Sequence, residues 1–261
     1  MASDKPALVL LHGIGMTADL AWQEVVPLLS EHHQVFAPTA LGHRGGPPAQ
    51  RRPVTVTDVI DAAEHYLDEH GLHRPHLAGN SLGGYMAIEL ARRGRAASVC
   101  ALSPGGFWAE GDGLQPHIAK GVRRNLAMAR VARPVVPLLC KSARVRRLAM
   151  RDSACNGDRL TAARFLQTVD DALACSAMTE ILGQPWQVAP LDPLPCPITV
   201  AWSGKDAILP VDQYQANVRE RLPQAVFKVL PDVGHIPAFD DPHLVARTIL
   251  DTQRSQTHDV P

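Results

Sequence analysis

Short apolar runs alternate with longer stretches of helical spacing along much of this chain. Ala7–Leu11 is apolar throughout and predicts a buried strand. Residues 35–37 predict a second strand, ahead of a turn-rich stretch at 38–48. In residues 58–70, Val59, Ile60, Ala63, Tyr66 and Leu67 fall on one side of a helix, which Gly71 stops. Residues 76–78 predict a third strand running into Gly79, and 81–93 a helix ending near Gly94. Ser98–Leu102 predicts a fourth strand. Strands alternating with helices indicate a parallel sheet covered on both faces.

The alternation then stops. Residues 107–190 carry helical spacing at 125–131, 142–151 and 160–182, interrupted by Pro134, Pro137 and Gly157, with no strand pattern. It resumes with a strand at 198–202, a helix at 212–221, a strand at 225–230 and a helix at 242–251. The polar tail 252–261 is expected to fray. The pattern divides the chain into one sheet domain, residues 1–106 and 191–261, interrupted by a helical insertion, 107–190.

Bulk properties narrow the class. The 261 residues are 46 % hydrophobic and 20 % charged, a globular balance that can bury a sizeable core. The formal net charge is zero, so global charge favours neither nucleic acid nor membrane as partner. Locally, residues 117–151 hold ten Lys or Arg and no Asp or Glu, with Arg144, Arg147 and Arg151 on one helix face. A solvated face explains such a stretch, and contact with an anionic substrate or membrane surface is the alternative. No apolar run spans a bilayer, and residues 1–5 lack the apolar core of a signal peptide. The five cysteines are odd in number and show no metal-ligand spacing. They indicate free thiols in a reducing compartment, so a cytoplasmic protein without metal or cofactor is expected.

Gly79-Asn80-Ser81-Leu82-Gly83 matches G-x-S-x-G where a strand meets a helix. Composition alone gives about 0.05 chance occurrences of that pattern in this chain. The pattern suits a serine exposed on a sharp turn, with glycines where side chains would clash. His12-Gly13-Ile14-Gly15 follows the first strand. There the N–H of Ile14, with that of Leu82, would form an oxyanion hole. Losing one such donor costs about 2.7–4 kcal/mol of transition-state stabilisation. His12 itself is expected to pack and hydrogen-bond rather than act as a base.

Serine needs a base, and the chain offers 12 histidines. His235 lies just beyond the last strand, where catalytic groups of parallel sheets gather. His32, His33, His65, His70 and His73 lie on helices or connections and are expected in solvent. His43 follows the second strand, His117 lies in the insertion and His258 in the tail. Asp206, directly after the next-to-last strand, is the expected partner of His235. Asp192 precedes that strand, at the wrong end, and Asp240 and Asp241 are expected to cap the last helix.

These motifs resemble the α/β-hydrolase family over nearly the whole chain. The order Ser81, Asp206, His235 is that family's order. The resemblance implies a mostly parallel sheet of about six strands flanked by helices, with residues 107–190 as a helical cap. The family's opening antiparallel hairpin has no room in residues 1–6. The resemblance also implies a serine hydrolase cleaving a carboxylic ester, lactone or thioester with a small to medium apolar acyl group. Family members that open epoxides or remove halogen use aspartate where Ser81 stands. Asn80 before the serine also resembles hydrolases that cleave carbon–carbon bonds of ring-fission products, although those often carry tryptophan where this chain has Ile236. A non-catalytic binding protein on the same scaffold is the alternative of another class. Gly13, Asn80, Trp108 and Ile236 are the candidate substrate contacts, although hydrogen bonding to the backbone of the serine turn is the favoured role for Asn80. Phe107, Phe165 and Met178 are further candidates for an apolar pocket, although plain core is the commoner place for such residues in a segment rich in Leu and Ala. The expected partner is a small molecule, not nucleic acid.

Overall fold

The computed structural model describes residues 5–108, 111 and 114–254. Six strands form one sheet: β1 Ala7–Leu11, β2 Gln34–Phe36, β3 His76–Asn80, β4 Ser98–Leu102, β5 Ile198–Ser203 and β6 Val226–Leu230. The order is β2-β1-β3-β4-β5-β6 and every pairing is parallel. This is the sheet the alternation predicts.

The helices before β5 are α1 Ala18–Trp22, α2 Val26–Ser30, α3 Val56–Glu69, α4 Leu82–Arg92, α5 Leu114–Ala132, α6 Val136–Leu139, α7 Ala143–Met150, α8 Ala162–Ala174 and α9 Met178–Leu182. Those after it are α10 Val211–Arg221, α11 Pro237–Asp240 and α12 Pro242–Arg254. The period-2 alternation of the strands sorts their side chains into two cores. Val9, Leu11, Leu77, Val99, Ala101 and Val200 pack with α3, α4 and α10. Leu8, Leu10, Ala78, Cys100, Leu102 and Ala201 pack on the other face with α1, α2 and α12. α3 starts where Thr55 and Asp58 satisfy each other's backbone amides, a reciprocal cap.

The structure corrects several expectations. Helices α1 and α2 are too short for periodicity to show them. The helix expected at 160–182 is two, because the backbone N–H of Ser176 bonds Gly42 O at 2.9 Å and Arg52 Nη1 takes Ser176 O at 2.9 Å, drawing the chain out of helix. α5 begins well before residue 125. The tail is ordered further than expected: Thr252 is buried inside α12 and its hydroxyl donates to Thr248 O. Residues 255–261, with His258, lie outside the described residues. His33 is buried, its ring against that of His76, rather than solvated. The five cysteines are unbridged and four are buried. No helix among the described residues is long and apolar enough to cross a membrane.

Candidate active site

In this sheet the connection after β1 leaves toward β2 and that after β3 toward β4, so the chain diverges between β1 and β3. Parallel sheets open a crevice at such a point, beyond the carboxyl ends of the strands. His12 to Gly15 follow β1 and Ser81 follows β3, so both motifs flank that crevice.

Ser81 sits at φ 56°, ψ −115°, a conformation costing a non-glycine residue about 1–3 kcal/mol. The surroundings hold it there. Its N–H donates to Leu102 O at 3.0 Å, and its carbonyl accepts from Tyr85 N and Gly105 N, both at 3.1 Å. A Cβ at Gly79 would run into the carbonyl of Gly83, and one at Gly83 into the carbonyl of Leu11. Both glycines of the motif are therefore required by close backbone approach. Leu82 opens α4, so its N–H belongs to the helix's unsatisfied first turn.

Across the crevice, His12 Nε2 accepts the N–H of Ala40 at 2.9 Å, which leaves Nδ1 to donate to Gly13 O at 2.8 Å. Burial, reinforced by His43, pushes its pKa down to about 3. His12 is thus a neutral strut for the loop, as expected. His43 is buried with its ring edge-on to His12, 4.9 Å away, and burial lowers its pKa too.

His235 follows β6 and Asp206 follows β5. The Nδ1–H of His235 donates to Asp206 Oδ2 at 2.8 Å, with both groups buried. Asp206 Oδ1 accepts the N–H groups of Ile208 at 3.0 Å and Leu209 at 2.7 Å. The carboxylate is fixed by its own turn, and the imidazole keeps a lone pair on Nε2. Asp192 is exposed and bonds Gln224, well apart from this pair.

Ser81 and His235 line one cavity of about 220 Å³ together with Gly13, Ile14, Leu82 and Ile236. Helices α5, α8 and α9 supply Ile118, Val122, Thr168, Ala172, Met178 and Leu182 to its wall. Trp108 lines it and anchors its indole N–H on Trp186 O at 2.6 Å. Phe107 and Phe165 do not: both pack in the cores. Asn80 lines the cavity, but its amide nitrogen is engaged, donating to Leu102 O at 3.1 Å and His235 O at 2.9 Å. It joins the serine turn to the histidine loop, the backbone-bonding role favoured for it, while still lining the cavity.

Asp240 is the residue the sequence misassigns. Asp241 caps α12 through Leu244 N, as expected, but Asp240 is buried and turned elsewhere. Its Oδ2 accepts Gly234 N at 2.8 Å and Cys155 N at 2.9 Å, and its Oδ1 accepts Asn156 N at 2.7 Å. Beside it, Ile236 N donates to Ser153 O at 2.8 Å. The loop carrying His235 is thereby fastened to the segment after α7. Two adjacent aspartates before one helix were the available signal, since one residue suffices as its N-cap. Trp186 is the other omission. Its ring packs against Trp108 and Tyr85, contacts far apart in sequence.

A model of the alpha/beta hydrolase family matches residues 8–248, and the chain belongs to that family. It is 28 % identical over 195 residues to epoxide hydrolase EphH of Mycobacterium tuberculosis, covering 73 % of this chain and 91 % of that protein. It is 25 % identical to 2-hydroxy-6-oxo-6-phenylhexa-2,4-dienoate hydrolase of Burkholderia cepacia, covering 96 % and 88 %. Its fold matches that of a thermophilic esterase from Thermogutta terrifontis with TM-score 0.72 at 23 % identity, covering 96 % and 90 %.

Proposed function

We propose that this hydrolase cleaves a carboxylic ester, or a lactone or thioester, through an acyl-enzyme on Ser81. The observation carrying the proposal is the strained serine in one cavity with a histidine whose Nδ1 a buried aspartate holds at 2.8 Å. Ser81 attacks the carbonyl carbon while His235 Nε2 takes its proton. Asp206 keeps the tautomer and stabilises the imidazolium. The oxyanion is received by the N–H groups of Ile14 and Leu82. His235 then protonates the leaving group, and water, activated by the same nitrogen, releases the acid. The helices between β4 and β5 act as a cap that shapes the acyl pocket. At about 220 Å³ the cavity falls below the roughly 300–1,000 Å³ of drug-sized pockets, which fits a small to medium acyl group. The unbridged, mostly buried cysteines support a reducing, cytoplasmic setting.

Serine at the elbow favours acyl transfer over epoxide opening, the activity named for the mycobacterial relative. Carbon–carbon cleavage of a vinylogous diketone is the second reading, supported by the similarity to the Burkholderia enzyme. Ile236 after the histidine weighs against it. Fluorophosphonate labelling of the native chain, lost in Ser81→Ala, is expected, with turnover of simple aryl esters exceeding that of a vinylogous diketone. Equal labelling of both proteins would remove Ser81 from the mechanism.

A further inference from the structure

The cap has a second face, turned away from the cavity. On α5, Ile118 and Val122 point into the cavity, while Val131 lies on the opposite side of the helix and Met128 on its flank, 83 % and 61 % exposed. The chain continues directly into Val135, Leu138 and Leu139, all exposed. Val135 O accepts the N–H groups of both Leu138 and Leu139 at 3.1 Å, which stacks these side chains on successive turns. Val136 and Cys140 bury the other side of α6 in the core. Arg146 folds the start of α7 back onto this turn through Cys140 O at 2.7 Å and Lys141 O at 3.0 Å, and Leu148 on α7 is again exposed. Among the described residues, six of the eight large apolar side chains most open to solvent thus fall within residues 128–148.

The same stretch is the basic one. Of the ten Lys and Arg in residues 117–151, three pair with carboxylates among the described residues: Arg133 with Asp170, Arg147 with Asp158 and Arg151 with Asp152. Exposed Arg130, Lys141 and Arg144 lie among the apolar side chains with no such partner among those residues. A solvated face explains the cations but not the aliphatic side chains between them. A second copy would set two strongly cationic faces against each other, which costs free energy. Aliphatic side chains projecting from helix ends, ringed by cations, match the interface of an anionic bilayer: apolar groups enter the acyl boundary while the bases meet lipid phosphates.

We propose that this outer face of the cap docks the protein on an anionic membrane surface. The attachment is peripheral and reversible, and it does not depend on the hydrolase reading, because its readout is binding. The test is flotation of the full chain with vesicles of phosphatidylcholine alone, or with about one third phosphatidylglycerol, a bilayer that attracts basic segments. Binding is expected only to the anionic vesicles, weakening as salt rises from about 0.05 to about 0.5 M. Val131→Asp with Leu138→Asp is expected to lower the partition coefficient more than about ten-fold, by loss of insertion and added repulsion. Arg130→Gln with Arg144→Gln keeps the apolar groups and is expected to lower it about five-fold per charge. Circular dichroism establishes folding, and turnover of a short soluble ester is expected to stay at the native level in both pairs. Ser81→Ala is expected to bind like the native chain, which separates docking from catalysis. Absent binding, equal binding to neutral vesicles, or a native dimer that either pair dissociates would each overturn the proposal.

Discussion

The sheet and the helices inserted between β4 and β5 are organised differently. Within the sheet domain, strands pair along their length and two apolar cores fill both faces. The helices between β4 and β5 share those cores through Val136, Met150, Phe165, Ile181 and Leu182, and they are also tied to the sheet domain at polar corners, several built on a buried or partly buried carboxylate. Asp171 of α8 accepts from the Thr17 hydroxyl at 2.8 Å and pairs with Arg44. Glu180 of α9 receives Arg52 Nη1 and Val54 N, both at 2.6 Å. Asp240 reaches from the sheet domain to Cys155 and Asn156. Burial is non-directional, whereas charge-assisted hydrogen bonds fix position. The insertion is therefore held by shared burial and aligned at these corners, and part of its apolar inner face lines the cavity. On the proposed reading, chemistry belongs to the sheet domain and choice of acyl group to the inserted helices.

The sharpest break of this division is Asp206→Asn. It is expected to lower kcat on an aryl ester by about 10⁴-fold with the fold intact, by imposing the wrong tautomer on His235. Comparable turnover in the variant would remove Asp206 from the site. Asp240→Asn strikes the corner nearest the chemistry. It turns an N–H toward backbone donors and loosens the His235 loop, so kcat is expected to fall about 10–10²-fold with KM little changed. Wild-type kcat would show that the corner only docks the cap. Met178→Ala acts on the cap alone, because that side chain packs over Gly15 in the cavity wall. The preferred acyl chain is expected to lengthen by about one or two methylenes, each worth about 10-fold or more in kcat/KM. An unchanged chain-length profile would place the acyl pocket elsewhere.

The smallest expected effect is on acid stability. His12 is neutral in the folded protein, with its pKa pushed down to about 3, while the unfolded chain titrates near 6.5. Its contribution is complete above pH 6.5 and is lost as pH falls toward 3, because only the unfolded chain takes up the proton. The loss is about 1.4 kcal/mol per pH unit for one such group. Urea midpoints measured from pH 7 to pH 5 should fall accordingly, and flat midpoints would contradict a buried neutral His12.

Much of the core was legible because its signals are local. Apolar runs at Ala7–Leu11 and Ser98–Leu102 carry strands, and Gly79 and Gly83 announce the sharp turn. Even Asp206 and His235, 29 positions apart, could be paired, since a parallel sheet gathers its strand ends on one edge. The cap resisted the same reading. Helices α6 and α9 are short, and the apolar positions of α5 serve both the cavity and the outer surface, which blurs any single periodicity. The break between α8 and α9 depends on Gly42, far away in sequence.

By itself, then, the sequence marked a parallel sheet of about six strands, a candidate nucleophile and its two expected partners, because backbone strain and strand ends leave local marks. Only the tertiary structure decided what Asp171 and Asp240 do. A carboxylate or amide looks alike in any sequence, and its partners are chosen by which distant backbone the fold brings within hydrogen-bond reach.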